Sequence, residues 1–380
     1  MKKAIAVLLC LLALAFAACP GLAAKLEDLQ KAAAKGDAQA QVHLGVMYAV
    51  GQGVKQDYQK ACEWLKKSAA RGNSQAQFFL GGMYHYGKGV KQDYQKAREW
   101  YEKAAGKGEA QAMFLLSRMH REGQGVPPNP QKARECLEKA AEWNFAPAQA
   151  ELGLMYRNGA GVKQDYQKAR EWLSKAADQG MAPAQYELGR MYENGEGVAK
   201  NAPKARECYE KAAEQGMAQA QAKLGSMYRT GQGGTQDLAE ARAWLERAAV
   251  QNDAGAQAEL GTFYAQGLET PRDYKKAKAL FEAAAVQNVG KAQFNLASLY
   301  EHGLGTQQNL ESASQWYAMA CKNGVQEACS PAEKLGKTLA SAGNKIPGKA
   351  VTGNTVPGTA GAGIAGTTTA GTAADGGNSA

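Results

Sequence analysis

The side chains that most often carry chemistry are scattered along this chain rather than gathered into one motif. Histidine occurs four times, and no histidine has a second histidine or a cysteine at the spacing of a zinc site. The four are His43, His85, His120 and His302. We therefore expect surface or groove positions for them, with no metal ion and no other cofactor.

Two recurring patterns resemble chemical motifs but are better explained as structure. A Gly-x-Gly sequence such as Gly87-Lys88-Gly89 could suggest a phosphate loop, yet it lacks the Gly-Lys-Ser/Thr ending and a preceding strand. Asp57 and Asp93 each stand just before an apolar-periodic segment, which is the place of a helix cap rather than of a general acid. The sequence thus offers no catalytic residue, and we predict a protein that is not an enzyme.

These residues are positioned by a repeat of 36 residues. Eight leucines recur at this interval, and the sequence around each of them is similar. They are Leu44, Leu80, Leu116, Leu152, Leu188, Leu224, Leu260 and Leu296. The chain is therefore interpreted as an array of eight copies over residues 37–324.

Each copy predicts two short helices, A and B. In the first copy Ala40, Leu44 and Met47 follow the three- and four-residue spacing of one helical face, and glycines then end the pattern. Asp57 can cap a second helix, and Gly72 supplies a left-handed residue at its end. Since such a hairpin has too little core to stand alone, the copies must stack. The predicted fold is all-α, an α-solenoid forming a right-handed superhelix.

The first residues have the composition of a secretory signal peptide. Lys2 and Lys3 precede an apolar run over residues 4–18, which is too short to span a bilayer comfortably and is followed by small residues. We assign residues 1–24 to this signal, with two cleavage sites open and lipoprotein cleavage before Cys19 as a third alternative. The sequence predicts a periplasmic or secreted bacterial protein without a transmembrane span in its mature form.

Both ends of the array have candidate caps. Residues 25–36 align with the end of a helix B and would cover the first copy, while residues 325–342 resemble a degenerate helix A. From residue 343 to residue 380 the composition changes to Gly, Thr, Ala, Pro, Asn and Ser with few large apolar side chains. Such a segment cannot bury enough surface to offset its ordering entropy, so we predict a disordered tail.

The repeat resembles a known family. The resemblance rests on Ala76-Gln77, Leu80-Gly81, Met83-Tyr84, Gly87-x-Gly89-Val90, Asp93-Tyr94-x-Lys96-Ala97 and Trp100. These are similar to the Sel-one-like repeats (SLR), relatives of the tetratricopeptide repeats. The resemblance implies a protein-protein interaction scaffold. The alternative that it implies is a cell-wall or β-lactam-interacting protein with β-lactamase-like activity, for which the sequence has no Ser-x-x-Lys motif.

The seven cysteines do not form a dense framework. Cys62, Cys136 and Cys208 lie on separate B helices and are expected to pack as small apolar residues. Cys321 and Cys329 are eight residues apart across the turn to the last cap. Because cysteine-rich members of the family carry helix-bridging disulfides at this spacing, the resemblance implies a disulfide that pins the C-terminal cap.

A partner-binding groove is expected along the A helices, which line the concave side of the helical-hairpin solenoids that this chain resembles. Its first copies are apolar and its middle is cationic. The predicted groove residues are Phe78, Phe79, Tyr86, Phe114, Arg118, Arg121, Arg157, Arg190 and Arg229, with Val42, Val46 and Leu115 beside them. The functional hypothesis is a partner segment with apolar anchors and an acidic stretch. The alternative is that the aromatics belong to the core and that Glu151, Glu187 and Glu193 neutralise the arginines.

The charge of the chain limits the class of partner. With 45 basic and 36 acidic residues the net charge is +9. This excess is too small, and too evenly mixed with glutamate, to predict nucleic-acid binding, although it favours an anionic partner at low salt. We therefore expect a protein partner.

Overall fold

The computed structural model describes residues 22–343, which form eighteen α-helices and one 3₁₀ turn without any strand in that range. The helices, numbered α1 to α18, are Leu22–Lys35, Ala38–Val50, Tyr58–Ala70, Ser74–Tyr86, Tyr94–Ala105, Ala110–Glu122, Pro130–Glu142, Ala146–Asn158, Tyr166–Asp178, Ala182–Asn194, Ala202–Glu214, Ala218–Thr230, Leu238–Val250, Ala254–Gln266, Tyr274–Ala285, Gly290–His302, Leu310–Lys322 and Cys329–Gly343. The all-α prediction is confirmed. The predicted signal segment as far as residue 21, with Cys19, and the tail beyond residue 343 lie outside the described residues.

The chain divides into two compact units at Gln236. The first unit contains α1 to α12, in which each helix packs against the next along the chain. Helix α1 covers the first copy with Leu26, Leu29 and Ala33, which pack against Ala40 and Leu44. This helix begins three residues before the predicted cap, because the sequence preceding residue 25 also has good helix formers.

The helix ends follow from local side-chain chemistry. The Asp57 carboxylate accepts hydrogen bonds from the amides of Gln59 and Lys60, both at 3.0 Å, and so caps α3. Asp93 and Asp165 likewise cap α5 and α9. The recurring aspartates that were expected to be caps are therefore caps.

The second glycine of several Gly-x-Gly turns permits close contact between copies. A Cβ atom on Gly89, whose φ is +68°, would collide with the backbone carbonyl of Tyr58 at the start of the preceding B helix. On Gly125 it would lie 2.7 Å from the carbonyl carbon of Tyr94. The turn therefore serves packing between copies, as the structural explanation of this pattern predicted.

The glutamine of the Ala-Gln motif joins seven of the eight A helices to the preceding B or cap helix, and the third copy has Met113 in its place. Gln149 is buried, and its Nε2 donates a hydrogen bond to the Ala141 carbonyl at 3.0 Å. Gln41 does the same to Ala33 at 2.9 Å. The same two carbonyls also accept the amides of Gly36 and Asn144 in the turns that follow, so each glutamine adds a second hydrogen bond at the end of the preceding helix. The motif is thus a polar link inside an apolar stack.

The second unit contains α13 to α18. Its core includes Phe281, Leu296, Trp316 and Tyr317, each at most 3% exposed. A 3₁₀ turn over Gln326–Ala328 leads into α18, which packs against α17. None of the described helices of either unit is long and apolar enough to cross a bilayer.

A disulfide ties the last helix to the rest of the second unit. It joins Cys321 in α17 to Cys329 at the start of α18, with the two Cα atoms 4.9 Å apart. This is the pair of cysteines for which the family resemblance implied a bond. The disulfide fixes the position where α18 begins.

Candidate partner-binding groove

A cavity of about 280 Å³ opens among the first copies of the repeat, within the first unit. We call it the apolar groove. It is lined by Val46, Ala49, Tyr58, Leu65, Phe78, Phe79, Gly82, Met83, Tyr86, Lys88, Tyr101, Gln111, Phe114, Leu115, Arg118, Phe145 and Pro147. Most of these side chains are apolar and several are aromatic, which is the lining typical of ligand pockets.

The apolar half of the predicted groove residues lies in this cavity. Phe79, Tyr86 and Phe114 are half-buried there, and Phe78 lines the cavity although only 8% of it is exposed. The expectation for Val42 was wrong. That side chain is 2% exposed, because it packs into the core formed by helices α2, α3 and α4.

Several lining residues were missed by the sequence analysis. Phe145 comes from the corner before α8, and its ring packs edge-on against Phe114 with the centroids 5.4 Å apart. Tyr101 lies on a B helix, and Gly82 lies on an A helix, where its lack of a side chain leaves space in the cavity. Periodic reasoning about one face of the A helices could not include Phe145 and Tyr101, which lie outside the A helices, and it passed over Gly82 because glycine has no side chain. The sequence did contain a signal for Gly82. The other seven copies all have a residue with a side chain at the equivalent position.

Charged side chains beyond the apolar groove form an ion-pair ladder between neighbouring A helices. Each rung joins residues 30 apart in the sequence, one from each of two consecutive copies. The rungs are Arg121 with Glu151, Arg157 with Glu187, and Lys223 with Glu193. The N to O distances are 2.5 Å for Arg157 and 3.2 Å for Lys223. The ladder holds successive A helices in register.

Arg157 is the most buried member of this ladder, with 9% of its side chain exposed. Besides Glu187, it contacts Glu196, which accepts hydrogen bonds from Nε at 2.5 Å and from Nη2 at 3.0 Å. The hydrogen bond to Arg157 lowers the pKa of Glu196 below its usual range, while the same bond raises the pKa of Arg157. The guanidinium is therefore already committed to two carboxylates of its own chain.

The other predicted arginines have varied surroundings. Arg190 contacts Glu187 at 3.2 Å, and Arg118 contacts Glu122 at 3.5 Å. Arg229 lies half-buried on α12. The structure thus brings Arg118 to the apolar groove and places Arg121, Arg157 and Arg190 in ion pairs with glutamates. Any forked hydrogen bond from these three to a partner carboxylate would compete with those ion pairs.

The same helical positions carry no Arg, Lys, Asp or Glu in the first copies. Ala49 and Phe79 occupy the positions that correspond to Arg121 and Glu151 in the third and fourth copies. His85 and Leu115 occupy the same two positions one copy further along. Burial lowers the pKa of His85, so its imidazole is neutral at pH 7. The apolar lining of the groove therefore coincides with the copies in which these positions form no ion pair.

The remaining reactive side chains do not gather into a site. Over residues 22–343, no three His, Cys, Asp or Glu side chains are placed to hold a metal ion. Cys62, Cys136 and Cys208 are free thiols, each buried or half-buried. Burial raises the pKa of Cys208 to about 11 and raises those of the other two. These thiols are therefore poor nucleophiles at neutral pH.

Comparison with known families decides the identity of the repeat. The Sel1 repeat profile matches eight successive segments. They are residues 38–73, 74–109, 110–142, 146–181, 182–217, 218–253, 254–288 and 290–325. The chain belongs to the Sel1 repeat family. The eight-copy array and the SLR resemblance are thereby confirmed, and Sel1 repeat proteins are generally interaction scaffolds rather than enzymes.

Two solved structures show how similar this Sel1 repeat chain is to bacterial relatives. The protective antigen c5321 of uropathogenic Escherichia coli, which displays an SLR fold, is 35% identical with a TM-score of 0.74, and the match covers 84% of this chain and 72% of that one. A Sel1 repeat protein from Oxalobacter formigenes is 32% identical with a TM-score of 0.57, and the match covers 83% of this chain and 89% of that one. None of the curated proteins compared matches the chain.

Proposed function

We propose that this Sel1 repeat protein is a non-enzymatic scaffold of the bacterial cell envelope that binds a segment of a partner protein in the apolar groove. The observation that carries the proposal is the cavity of about 280 Å³ lined by half-buried Phe79, Tyr86 and Phe114. A contiguous apolar patch on a soluble surface is costly to expose, and such patches mark binding sites.

The dimensions of the groove suit a few side chains rather than a whole domain. Drug-sized ligands occupy pockets of roughly 300–1,000 Å³, so this cavity fits one bulky side chain and its neighbours. Aromatic residues in well-packed pockets also carry most of the binding energy at protein interfaces. A partner would therefore dock as an extended or helical segment that inserts an apolar anchor.

The charges around the apolar groove favour an acidic segment. Lys88 and Arg118 are the two charged residues that line the cavity, and both are cationic; Arg118 also contacts Glu122 at 3.5 Å. A partner carboxylate near them would increase the rate of association and make binding sensitive to salt. We assign recognition to this end of the unit and a scaffolding role to the ladder, since Arg121 and Arg157 are paired with Glu151 and Glu187.

The envelope location rests on three observations. The chain begins with a basic and then apolar segment typical of a signal peptide. Cys321 and Cys329 form a disulfide, which persists in oxidising compartments. The similar solved structures are of bacterial proteins. The catalytic alternative, a β-lactamase-like activity, has no observation in its favour, and we do not propose it.

Capture experiments with matched variants test this function. Purified protein and the double variant Phe79→Ala with Phe114→Ala are each used to capture proteins from an envelope extract of the source bacterium. The control is Phe294→Ala, the equivalent helix A position in the last copy, where the ring packs against Tyr317 at 5.4 Å. We expect the double variant to lose a partner that the control retains, with unchanged helicity. A partner retained by all three would contradict the assignment to the apolar groove.

A further inference from the structure

A tyrosine on helix B recurs in the second, fifth and eighth copies. The three residues are Tyr101, Tyr209 and Tyr317, each at most 3% exposed. In the later two, the hydroxyl donates a hydrogen bond to a glutamate sixteen residues earlier on helix A. Tyr209 donates to Glu193 at 2.6 Å, and Tyr317 donates to Glu301 at 2.7 Å. These copies therefore satisfy the buried hydroxyl internally.

The second copy lacks this partner. The residue sixteen positions before Tyr101 is His85, and within the described part of the chain neither the Tyr101 hydroxyl nor His85 Nδ1 has a hydrogen-bond partner. Burial raises the pKa of Tyr101 well above its usual range, so the hydroxyl stays protonated and can donate. An unsatisfied buried donor costs free energy, which a bound acceptor would recover.

Gly82 leaves space beside this hydroxyl. The fifth and eighth copies carry Arg190 and Ser298 at the equivalent position, whereas a Cβ atom on Gly82 would lie 3.7 Å from the Tyr101 hydroxyl oxygen. Both Gly82 and Tyr101 line the apolar groove. The space that Gly82 leaves therefore lets a group bound in this groove approach the Tyr101 hydroxyl.

We propose that the anchor of the partner segment is a tyrosine side chain. Its ring occupies the apolar groove near Phe79, Phe114 and Phe145, and its hydroxyl accepts a hydrogen bond from Tyr101. An acidic residue next to this tyrosine lies toward Lys88. The inference rests on the proposed function and adds the chemistry of the anchor.

The amphipathic nature of tyrosine fits the composition of the cavity. The aromatic side chains that line the cavity favour an aromatic ligand through edge-to-face packing. The hydroxyl of a tyrosine ligand would accept a hydrogen bond from the Tyr101 hydroxyl. A site that hydrogen-bonds a hydroxyl discriminates against the analogue that lacks it, because its own polar group then stays unpaired. The apolar groove should thus distinguish tyrosine from phenylalanine.

Side-chain analogues provide a direct test on the full chain. Binding of p-cresol, the analogue of tyrosine, and of toluene, the analogue of phenylalanine, is titrated by ligand-observed NMR. We expect p-cresol to bind about tenfold more tightly. In Tyr101→Phe this preference should disappear, and phenylalanine is tolerated at this position because Phe281 occupies it in the seventh copy. Tyr317→Phe, which removes a hydroxyl already paired with Glu301, should leave the preference intact.

A second variant tests the location of binding. Gly82→Leu should abolish binding of both analogues, because the leucine side chain would fill the space in the cavity. The variant should fold, since Leu154 occupies the equivalent position in the fourth copy. Equal affinities, no saturable binding of either analogue, or a preference that survives Tyr101→Phe would each overturn the tyrosine anchor. If that happens while Phe79→Ala with Phe114→Ala still loses its partner, the proposed function stands and only the anchor is wrong.

Discussion

Arg157 and Glu187 belong to consecutive copies of the repeat, and their side chains meet at 2.5 Å in the most buried rung of the ion-pair ladder. With 9% of its side chain exposed, Arg157 depends on Glu187 and Glu196 for its hydrogen bonds. The pair therefore links local helix geometry to the stacking of copies. Arg157 therefore stabilises the first unit, and we do not assign it to partner binding.

Truncating this arginine should destabilise the first unit. Arg157→Ala removes the paired cation of the partly buried Glu196 carboxylate and one of the two cations that contact Glu187. We expect a loss of about 2 kcal/mol in the free energy of unfolding. Arg121→Ala is the control, since half of the Arg121 side chain is exposed. It should cost less than about 1 kcal/mol. Equal shifts of the urea midpoint in the two variants would contradict the structural role of Arg157.

Acid should weaken the same contact. Because the folded-state pKa of Glu196 is lowered, its contribution is present above the unfolded-state value of about 4.5 and is lost as pH falls through the folded-state pKa. We expect Glu196→Gln to be less stable than the parent at pH 7 and the difference to shrink toward pH 3. Urea midpoints measured across this range test the sign. A difference that grows with acid would refute the assignment.

The disulfide should hold α18 in place. Replacing Cys321 and Cys329 by serine opens a short loop and should cost about 2 to 3 kcal/mol in local stability. Hydrogen exchange should accelerate in α18, while Cys208→Ser serves as a control that removes a free thiol. Mass spectrometry of protein purified from an oxidising compartment provides an independent check. Two reactive thiols at positions 321 and 329 would rule out the bond.

Gly89, the second glycine of the turn in the second copy, should not tolerate a side chain. Gly89→Ala brings a Cβ atom into the Tyr58 carbonyl, whereas Gly108 has nothing within 4 Å of such an atom although its φ is +86°. Gly108→Ala should therefore cost only the strain of a left-handed residue, about 1 kcal/mol. Gly89→Ala should cost clearly more. Thermal unfolding of the two variants would measure the difference, and equal costs would show that close packing is not the reason for the glycine.

The features that could be predicted from the sequence are those set by residues close together in one copy and by the repeat period. The caps at Asp57 and Asp93 follow from local chemistry, and the stacking follows from the 36-residue period. The burial of Val42 depends on which helices cover the first copy, so one helical face could not reveal it. Neutralisation of the groove arginines by Glu187 was one of the two alternatives left open by the sequence. The contact of Arg157 with Glu196 was not expected, because it depends on the path of a turn.

Photo-crosslinking tests most directly whether the apolar groove is the binding surface. A benzoylphenylalanine is placed at Phe114 in one variant and at Phe294, the equivalent position in the last copy, in another, and both are irradiated in envelope extract. We predict a discrete adduct with a partner protein from position 114 and none from position 294. No adduct from position 114, or the same adduct from both positions, would contradict the central claim.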